Sequence, residues 1–164
     1  MPQGRTSDSP PRVNVESMPT HAEKRVLPYK PEEMYELVAA IDQYQEFLPW
    51  CIGSRIKERR DNVVLADLVI GFKLFREKFT SRVTLDEENC RIDVEYMDGP
   101  FRYLNNHWKF TPHPKGCEVD FFVDFEFRSM ILQKTIGMLF NEAVTRMISA
   151  FEARAAELYG SSAA

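Results

Sequence analysis

The side chains that could support catalysis or metal binding are scattered along this 164-residue chain. His21, His107 and His113 are far apart in sequence, so a metal site would need them to converge from distant elements. The sequence lacks the motifs that cradle phosphates or dinucleotides, present a nucleophilic serine or bind zinc in peptidases. We therefore expect no catalytic residues, no metal site and no cofactor.

Carboxylates alternate with apolar residues between Glu118 and Glu126. Paired carboxylates act as an acid and a base when desolvation separates their pKa values. Here they occupy the strand face opposite Phe121 and Phe125, where water hydrates them. The pattern predicts a solvated sheet face and not an acid–base array.

The densest basic patch comprises Arg55, Lys57, Arg59 and Arg60. Positive charge on an edge strand prevents edge-to-edge pairing, and this is the interpretation we favour. Contact with nucleic acid or a ribosome is the alternative, since phosphate binding needs only such a local cluster. The net charge of −4 argues against bulk binding of DNA.

One apolar segment falls where a hairpin should turn. Its apolar side chains either fold back into the mouth of the core or insert into an anionic bilayer, helped by the basic residues beside them. The candidate membrane-docking tip consists of Phe72, Lys73, Leu74, Phe75 and Arg76.

Hydrophobic periodicity predicts an α+β fold. A strand at Thr20–Pro28 precedes a helix that starts at Pro31 and a short helix at Gln43–Phe47. Six segments follow in which apolar and polar residues alternate, and this pattern predicts an antiparallel meander. A three- and four-residue period then predicts one long helix from about Met130 to Tyr159, which Gly160 ends.

The chain is long enough for one domain, and no stretch is apolar enough to cross a membrane. We expect a disordered leader at 1–18, a single domain at 19–160 and a tail at 161–164. The odd number of cysteines predicts reduced, buried thiols.

A strongly bent antiparallel sheet is too wide for one helix to fill its concave face. The predicted arrangement therefore contains an apolar cavity between sheet and helix, which is a ligand site in principle. Met130, Met138 and Met147 are either core filler or flexible walls of this cavity.

Three segments carry a resemblance to a known family. They are Tyr-x-x-Phe-Leu-Pro-Trp-Cys at 44–51, Phe-Arg-Glu-Lys-Phe at 75–79 and Gly-Pro-Phe-x-x-Leu-x-x-x-Trp at 99–108. The chain resembles the coenzyme Q-binding family of START-like domains, whose relatives include bacterial ribosome-association toxin A proteins. The resemblance implies a helix-grip fold with a curved antiparallel sheet around the C-terminal helix, a hydrophobic tunnel, ubiquinone binding without catalysis, and support of respiration.

By motif, the resemblance assigns ligand binding to residues of the first and third segments. It assigns ligand binding more loosely to inward-facing positions of the strands and helices. Asn106, Trp108 and Tyr96 are the candidate hydrogen-bond donors to a quinone. The expected cavity residues are Leu48, Pro49, Trp50, Leu68, Ile70, Phe72, Phe79, Tyr96, Phe101, Leu104, Asn106, Trp108, Phe121, Phe125, Ile136, Phe140 and Met147.

The resemblance also implies partners and a location. We expect a bacterial cytoplasmic protein in peripheral contact with the inner membrane, delivering ubiquinone to a respiratory complex. A mitochondrial protein on the matrix side of the inner membrane is the alternative location. The alternative function is a translation regulator that binds the large ribosomal subunit and blocks subunit association. A START-like cyclase is the least favoured interpretation, because ionisable residues are not clustered.

Overall fold

The computed structural model of the chain describes residues 20–72 and 75–160, except the side chain of Phe72. The predicted leader at 1–18, the tail at 161–164, and the tip residues Lys73 and Leu74 lie outside the described residues.

The order of elements agrees with the prediction, with a 3₁₀ helix at Ile41–Glu46 in place of the short helix expected at Gln43–Phe47. The remaining elements are β1 (Thr20–Leu27), α1 (Pro31–Ala39), β2 (Cys51–Arg60), β3 (Val63–Phe72), β4 (Phe75–Asp86), β5 (Arg91–Asp98), β6 (Phe101–His113), β7 (Gly116–Phe127) and α2 (Met130–Tyr159).

The strands form one seven-stranded antiparallel sheet in the order β1-β7-β6-β5-β4-β3-β2. Strands β2 to β7 are sequential hairpins, and β1 pairs with β7 along the whole length of β1. The basic strand β2 is therefore an edge, as its charge predicted.

Local signals at both ends define α2. The Ser129 side chain accepts a hydrogen bond from the backbone N–H of Leu132 at 3.2 Å, and Gly160 ends the helix at a positive φ of 78°. Between these ends, Phe140, Val144 and Phe151 are buried at steps of four and seven residues. This stripe faces the concave side of the sheet.

Aromatic contacts join the 3₁₀ helix to the C-terminal half of α2. Tyr44 and Phe47 of the 3₁₀ segment pack edge-on against Phe151 of α2, with ring centroids 5.6 and 5.3 Å apart. The Arg154 guanidinium lies 5.2 Å from the centre of the Phe47 ring. The short helices therefore cap one end of the space between sheet and long helix.

Candidate ligand-binding site

A cavity of about 310 Å³ lies between the concave face of the sheet and α2. Small-molecule sites in proteins typically occupy roughly 300–1,000 Å³. Among the residues that line it, none is Asp, Glu, His, Lys or Arg. The site is therefore suited to an uncharged, apolar molecule.

Most of the predicted wall positions line this cavity, because alternate residues of an antiparallel strand share one face. They are Leu48, Pro49, Trp50, Leu68, Ile70, Phe79, Phe101, Leu104, Asn106, Trp108, Phe121, Phe125, Ile136, Phe140 and Met147. Phe72 was predicted with them, but its side chain lies outside the described part of the chain.

Tyr96 was also predicted with them, but it is not among the residues that line the cavity. Its hydroxyl accepts a hydrogen bond from the backbone N–H of Phe101 at 3.1 Å, and its ring packs edge-on against the Phe101 ring. Tyr96 opposes Ser81 at an irregularity in the pairing of β4 with β5, near the end of β5. The hydroxyl therefore links the end of β5 to the start of β6.

About half of the residues in the cavity wall were not predicted as site residues from the sequence. The periodicity of β3 to β7 already marked several of these positions as inward, and the helical phase of α1 and α2 marks others. The missed positions are Val38, Ile41, Tyr44, Cys51, Ala66, Ser81, Val83, Ile92, Val94, Val123, Phe127, Ala143, Val144 and Phe151.

Besides the indole N–H groups of Trp50 and Trp108, four polar side chains line the otherwise apolar wall, and three of these four have an internal acceptor. The Tyr44 hydroxyl donates to the carbonyl oxygen of Val38, and Asn106 Nδ2 donates to the carbonyl oxygen of Phe122 at 2.8 Å. The Cys51 thiol lies 3.5 Å from the Gly53 carbonyl oxygen, and burial raises its pKa. Ser81 is 4% exposed, and its Oγ has no hydrogen-bond partner within the described residues.

Next to Ser81, but on the convex face of the sheet, lies a buried polar side chain that does have partners. The buried Asp67 carboxylate accepts a hydrogen bond from Thr80 Oγ1 at 2.5 Å and lies 3.4 Å from Lys78 Nζ and 3.5 Å from an Arg55 nitrogen. Burial opposes ionisation, but the Thr80 hydrogen bond and the charges of Lys57 and Lys78 outweigh it and lower the pKa of Asp67.

Several large apolar side chains are exposed around the start of α2 and the strand ends beside it. The first turns of α2 expose Met130, Ile131 and Met138, at 74%, 73% and 86% of their surfaces. The expectation that Met130 and Met138 fill the core or line the cavity is therefore wrong, because the inward stripe of α2 passes through other positions. Ile52 and Met97 are also half exposed.

These exposed side chains lie on parts of the chain that are close together in the fold. The N–H of Arg128 donates to the Pro100 carbonyl oxygen at 2.9 Å, which joins the start of α2 to the β5–β6 turn. At the same turn, an atom added at the Cβ position of Gly99 would lie 2.6 Å from Phe79 Cβ, so this glycine lets the turn approach β4 closely. The start of α2, the β5–β6 turn and the β3–β4 hairpin therefore form one end of the molecule, termed here the hairpin end.

Within the described ranges, no helix is long and apolar enough to span a bilayer. The same ranges contain no group of three or more His, Cys, Asp or Glu side chains arranged to hold a metal ion.

Comparison with known proteins supports the resemblance drawn from the motifs. A family model described as "Polyketide cyclase / dehydrase and lipid transport" matches residues 27–152. The chain is 43% identical over 137 residues to the ribosome association toxin RatA of Rickettsia prowazekii, covering 82% of this chain and 94% of that protein. The predicted family is confirmed.

Two further proteins connect the sequence to the quinone-binding relatives and to a solved fold. The coenzyme Q-binding protein COQ10 homolog B of Xenopus laevis is 32% identical over 145 residues, covering 85% of this chain and 59% of that protein. An 18 kDa protein of Caulobacter crescentus, solved in solution, is 38% identical with a TM-score of 0.73, covering 87% of this chain and 99% of that one. The predicted helix-grip architecture is likewise confirmed.

Proposed function

The chain belongs to the polyketide cyclase / dehydrase and lipid transport family, and on this premise we propose that it binds ubiquinone or a similar isoprenoid lipid without chemical turnover. The observation that carries the proposal is the apolar cavity, whose described lining has no ionised side chain to act as acid, base or nucleophile. Apolar walls suit an isoprenoid tail, and a quinone head needs only a few hydrogen bonds.

The free energy of transferring an isoprenoid lipid favours ligand exchange at a membrane. Burying apolar surface from water stabilises a complex by roughly 25 cal/mol per Å². An isoprenoid lipid, however, is dissolved in the bilayer, which is already apolar, so transfer from bilayer to cavity is close to neutral. A carrier of this kind must therefore touch the membrane to load and unload.

The hairpin end is the surface we propose for this contact, with an anionic bilayer as its partner. Its exposed apolar side chains lie next to the exposed basic side chains of Arg76, Arg128 and Lys134, with Asp98 as an exposed carboxylate nearby. Each basic residue near an anionic bilayer contributes about 1 kcal/mol. The cavity wall also extends to this end, through residues near the ends of β3, β4, β6 and β7, namely Ile70, Phe79, Phe101 and Phe127.

The ligand can be identified directly. The protein would be purified without detergent, extracted with organic solvent, and the extract analysed by mass spectrometry. We expect an isoprenoid quinone in the extract of the wild type, close to one molecule per chain. An extract with only phospholipid, together with failure to take up ubiquinone from vesicles, would contradict the proposal.

Membrane contact is tested by changing the start of α2. Ile131 and Met138 lie seven residues apart on one helix face, so the double variant Ile131→Ser/Met138→Ser removes apolar surface from the hairpin end. We expect slower ubiquinone transfer between anionic vesicles, while the salt dependence of transfer remains, because the basic residues that salt screens are unchanged.

Leu158 provides the matched control for this experiment. It is half exposed on the same helix but at its opposite end, so Leu158→Ser should leave transfer unchanged. Equal transfer by the double variant, the control and the wild type would show that the docking surface lies elsewhere.

A second candidate function is ribosome association with inhibition of subunit joining. Its support is the similarity to proteins named ribosome association toxin, together with the exposed basic side chains of β2. Arg55, Lys57 and Arg59 lie outside the cavity wall and are available for phosphate contacts. If this candidate is correct, changing all three to Glu should abolish co-sedimentation with the large subunit while ubiquinone content stays intact.

The proposed location and partner follow from the carrier function. We propose a protein of the bacterial cytoplasm in peripheral contact with the inner membrane, which delivers quinone to a respiratory complex. Fractionation of cells that express the protein at native level should recover it with inner membranes at low salt and release it at high salt.

A further inference from the structure

We propose that Ser81 donates a hydrogen bond to an oxygen atom of the bound lipid, so that the cavity selects isoprenoids with a carbonyl group over isoprenoid hydrocarbons. This inference rests on the proposed function and assigns its polar recognition to one residue.

The hydroxyl of Ser81 is buried and unpaired. Ser81 lines the cavity, and its Oγ has no hydrogen-bond partner among the described residues. A buried hydroxyl without a partner is costly, and nearly all such groups in native proteins are satisfied. An oxygen atom of a bound molecule would satisfy this one.

The protein groups around Ser81 provide no such oxygen. Along β4, its inward neighbours are Phe79 and Val83, and across the sheet it pairs with Ala66 on β3. On the other side it pairs with Tyr96, whose hydroxyl already accepts the backbone N–H of Phe101.

Asn106 and Trp108 are further candidate donors on the sheet wall, and Asn106 already makes one internal hydrogen bond. Its Nδ2 donates to the Phe122 carbonyl oxygen at 2.8 Å, which orients the amide along β6 and β7. This bond uses one of the two Nδ2 hydrogens, whereas the single donor hydrogen of Ser81 has no acceptor among the described residues. The hydroxyl therefore favours a ligand that accepts a hydrogen bond at mid-strand of β4, and a quinone carbonyl oxygen does so.

The test compares two probes with isoprenoid chains of similar length, a ubiquinone and the hydrocarbon squalene, loaded together into vesicles. Wild type, Ser81→Ala and Val83→Ala would be equilibrated with these vesicles, and the bound probes quantified by extraction. Val83→Ala is the matched control because Val83 lies on the same strand and face and offers no hydrogen bond.

We expect the ratio of bound ubiquinone to bound squalene to fall about three- to tenfold in Ser81→Ala, the range of one net hydrogen bond. The ratio should stay at the wild-type value in Val83→Ala, even if total uptake drops. An unchanged ratio in Ser81→Ala, with both probes still bound, would overturn the role of Ser81 and leave the carrier function standing. Uptake of neither probe by the wild type would instead overturn the carrier function and this inference with it.

Discussion

Two buried polar side chains at neighbouring positions, on opposite faces of the sheet, differ in whether they have hydrogen-bond partners. Ala66 pairs with Ser81, and the next pair along the same two strands is Asp67 with Thr80. On the convex face, the Asp67 carboxylate has a hydroxyl donor and two cationic side chains within 3.5 Å. On the concave face, the Ser81 hydroxyl has no partner in the described part of the chain.

This difference separates a structural polar group from one available to a ligand. A satisfied carboxylate stabilises the fold and has little capacity left for another molecule. An unsatisfied hydroxyl on a cavity wall costs stability in the free protein, and this cost is offset when a ligand accepts a hydrogen bond from it. Comparing the two faces therefore locates recognition on the concave side, and the following substitutions test that distinction.

The largest effect is expected at Trp108, on the concave face. Its ring lies 4.6 Å from that of Phe121 and 5.2 Å from that of Phe151, so it joins β6, β7 and α2. Trp108→Ala should cost about 3–5 kcal/mol of unfolding free energy, measured by urea denaturation, and should lower quinone occupancy.

Trp108→Phe keeps most of the ring contacts and serves as the control, with a smaller loss of stability. If Trp108→Ala retains full quinone occupancy under conditions where it is folded, Trp108 supports the fold and is not a wall of the ligand site.

An intermediate effect is expected at Asp67, on the convex face. Asp67→Asn removes the charge that Lys78 and Arg55 face, and both partners are largely exposed, which reduces the effect. We expect a loss of about 1–2 kcal/mol at pH 7 and no change in quinone occupancy.

The effect of Asp67 should depend on pH. Its pKa is lowered in the folded protein, so its stabilisation is complete above the ordinary carboxyl pKa, near 4, and is lost as the pH falls through the lower folded value. The stability difference between wild type and Asp67→Asn should therefore shrink between pH 5 and strongly acidic solution, about pH 2. A difference that is constant over this range would show that the charge of Asp67 contributes nothing.

The smallest effect, with the opposite sign, is expected at Ser81. Ser81→Ala removes an unpaired buried hydroxyl, so the free protein should gain up to about 1 kcal/mol of stability. Ser54 provides a control, because its Oγ accepts a hydrogen bond from the Gln45 N–H at 3.2 Å. Ser54→Ala should lose stability, and a similar loss in Ser81→Ala would erase the contrast between the two faces.

Local patterns in the sequence were sufficient for the architecture. The serine before α2 and the glycine after it define a helix of 30 residues without reference to any other element. Alternation of apolar and polar residues assigned an inward face to each strand, because the side-chain period of a strand is two. The family followed from three short motifs, and the apolar cavity from the width of a curved sheet against one helix.

The tertiary structure decided which polar groups are used and which remain available. Tyr96 and Ser81 oppose each other across β4 and β5, yet only the Tyr96 hydroxyl finds an internal partner. Likewise, Met130 and Met138 share the apolar character of Met147, but only Met147 reaches the cavity. Periodicity determines the face on which a side chain lies. Whether its polar atom is satisfied, or its apolar surface covered, depends on strand register and helix placement, which bring together residues far apart in the chain.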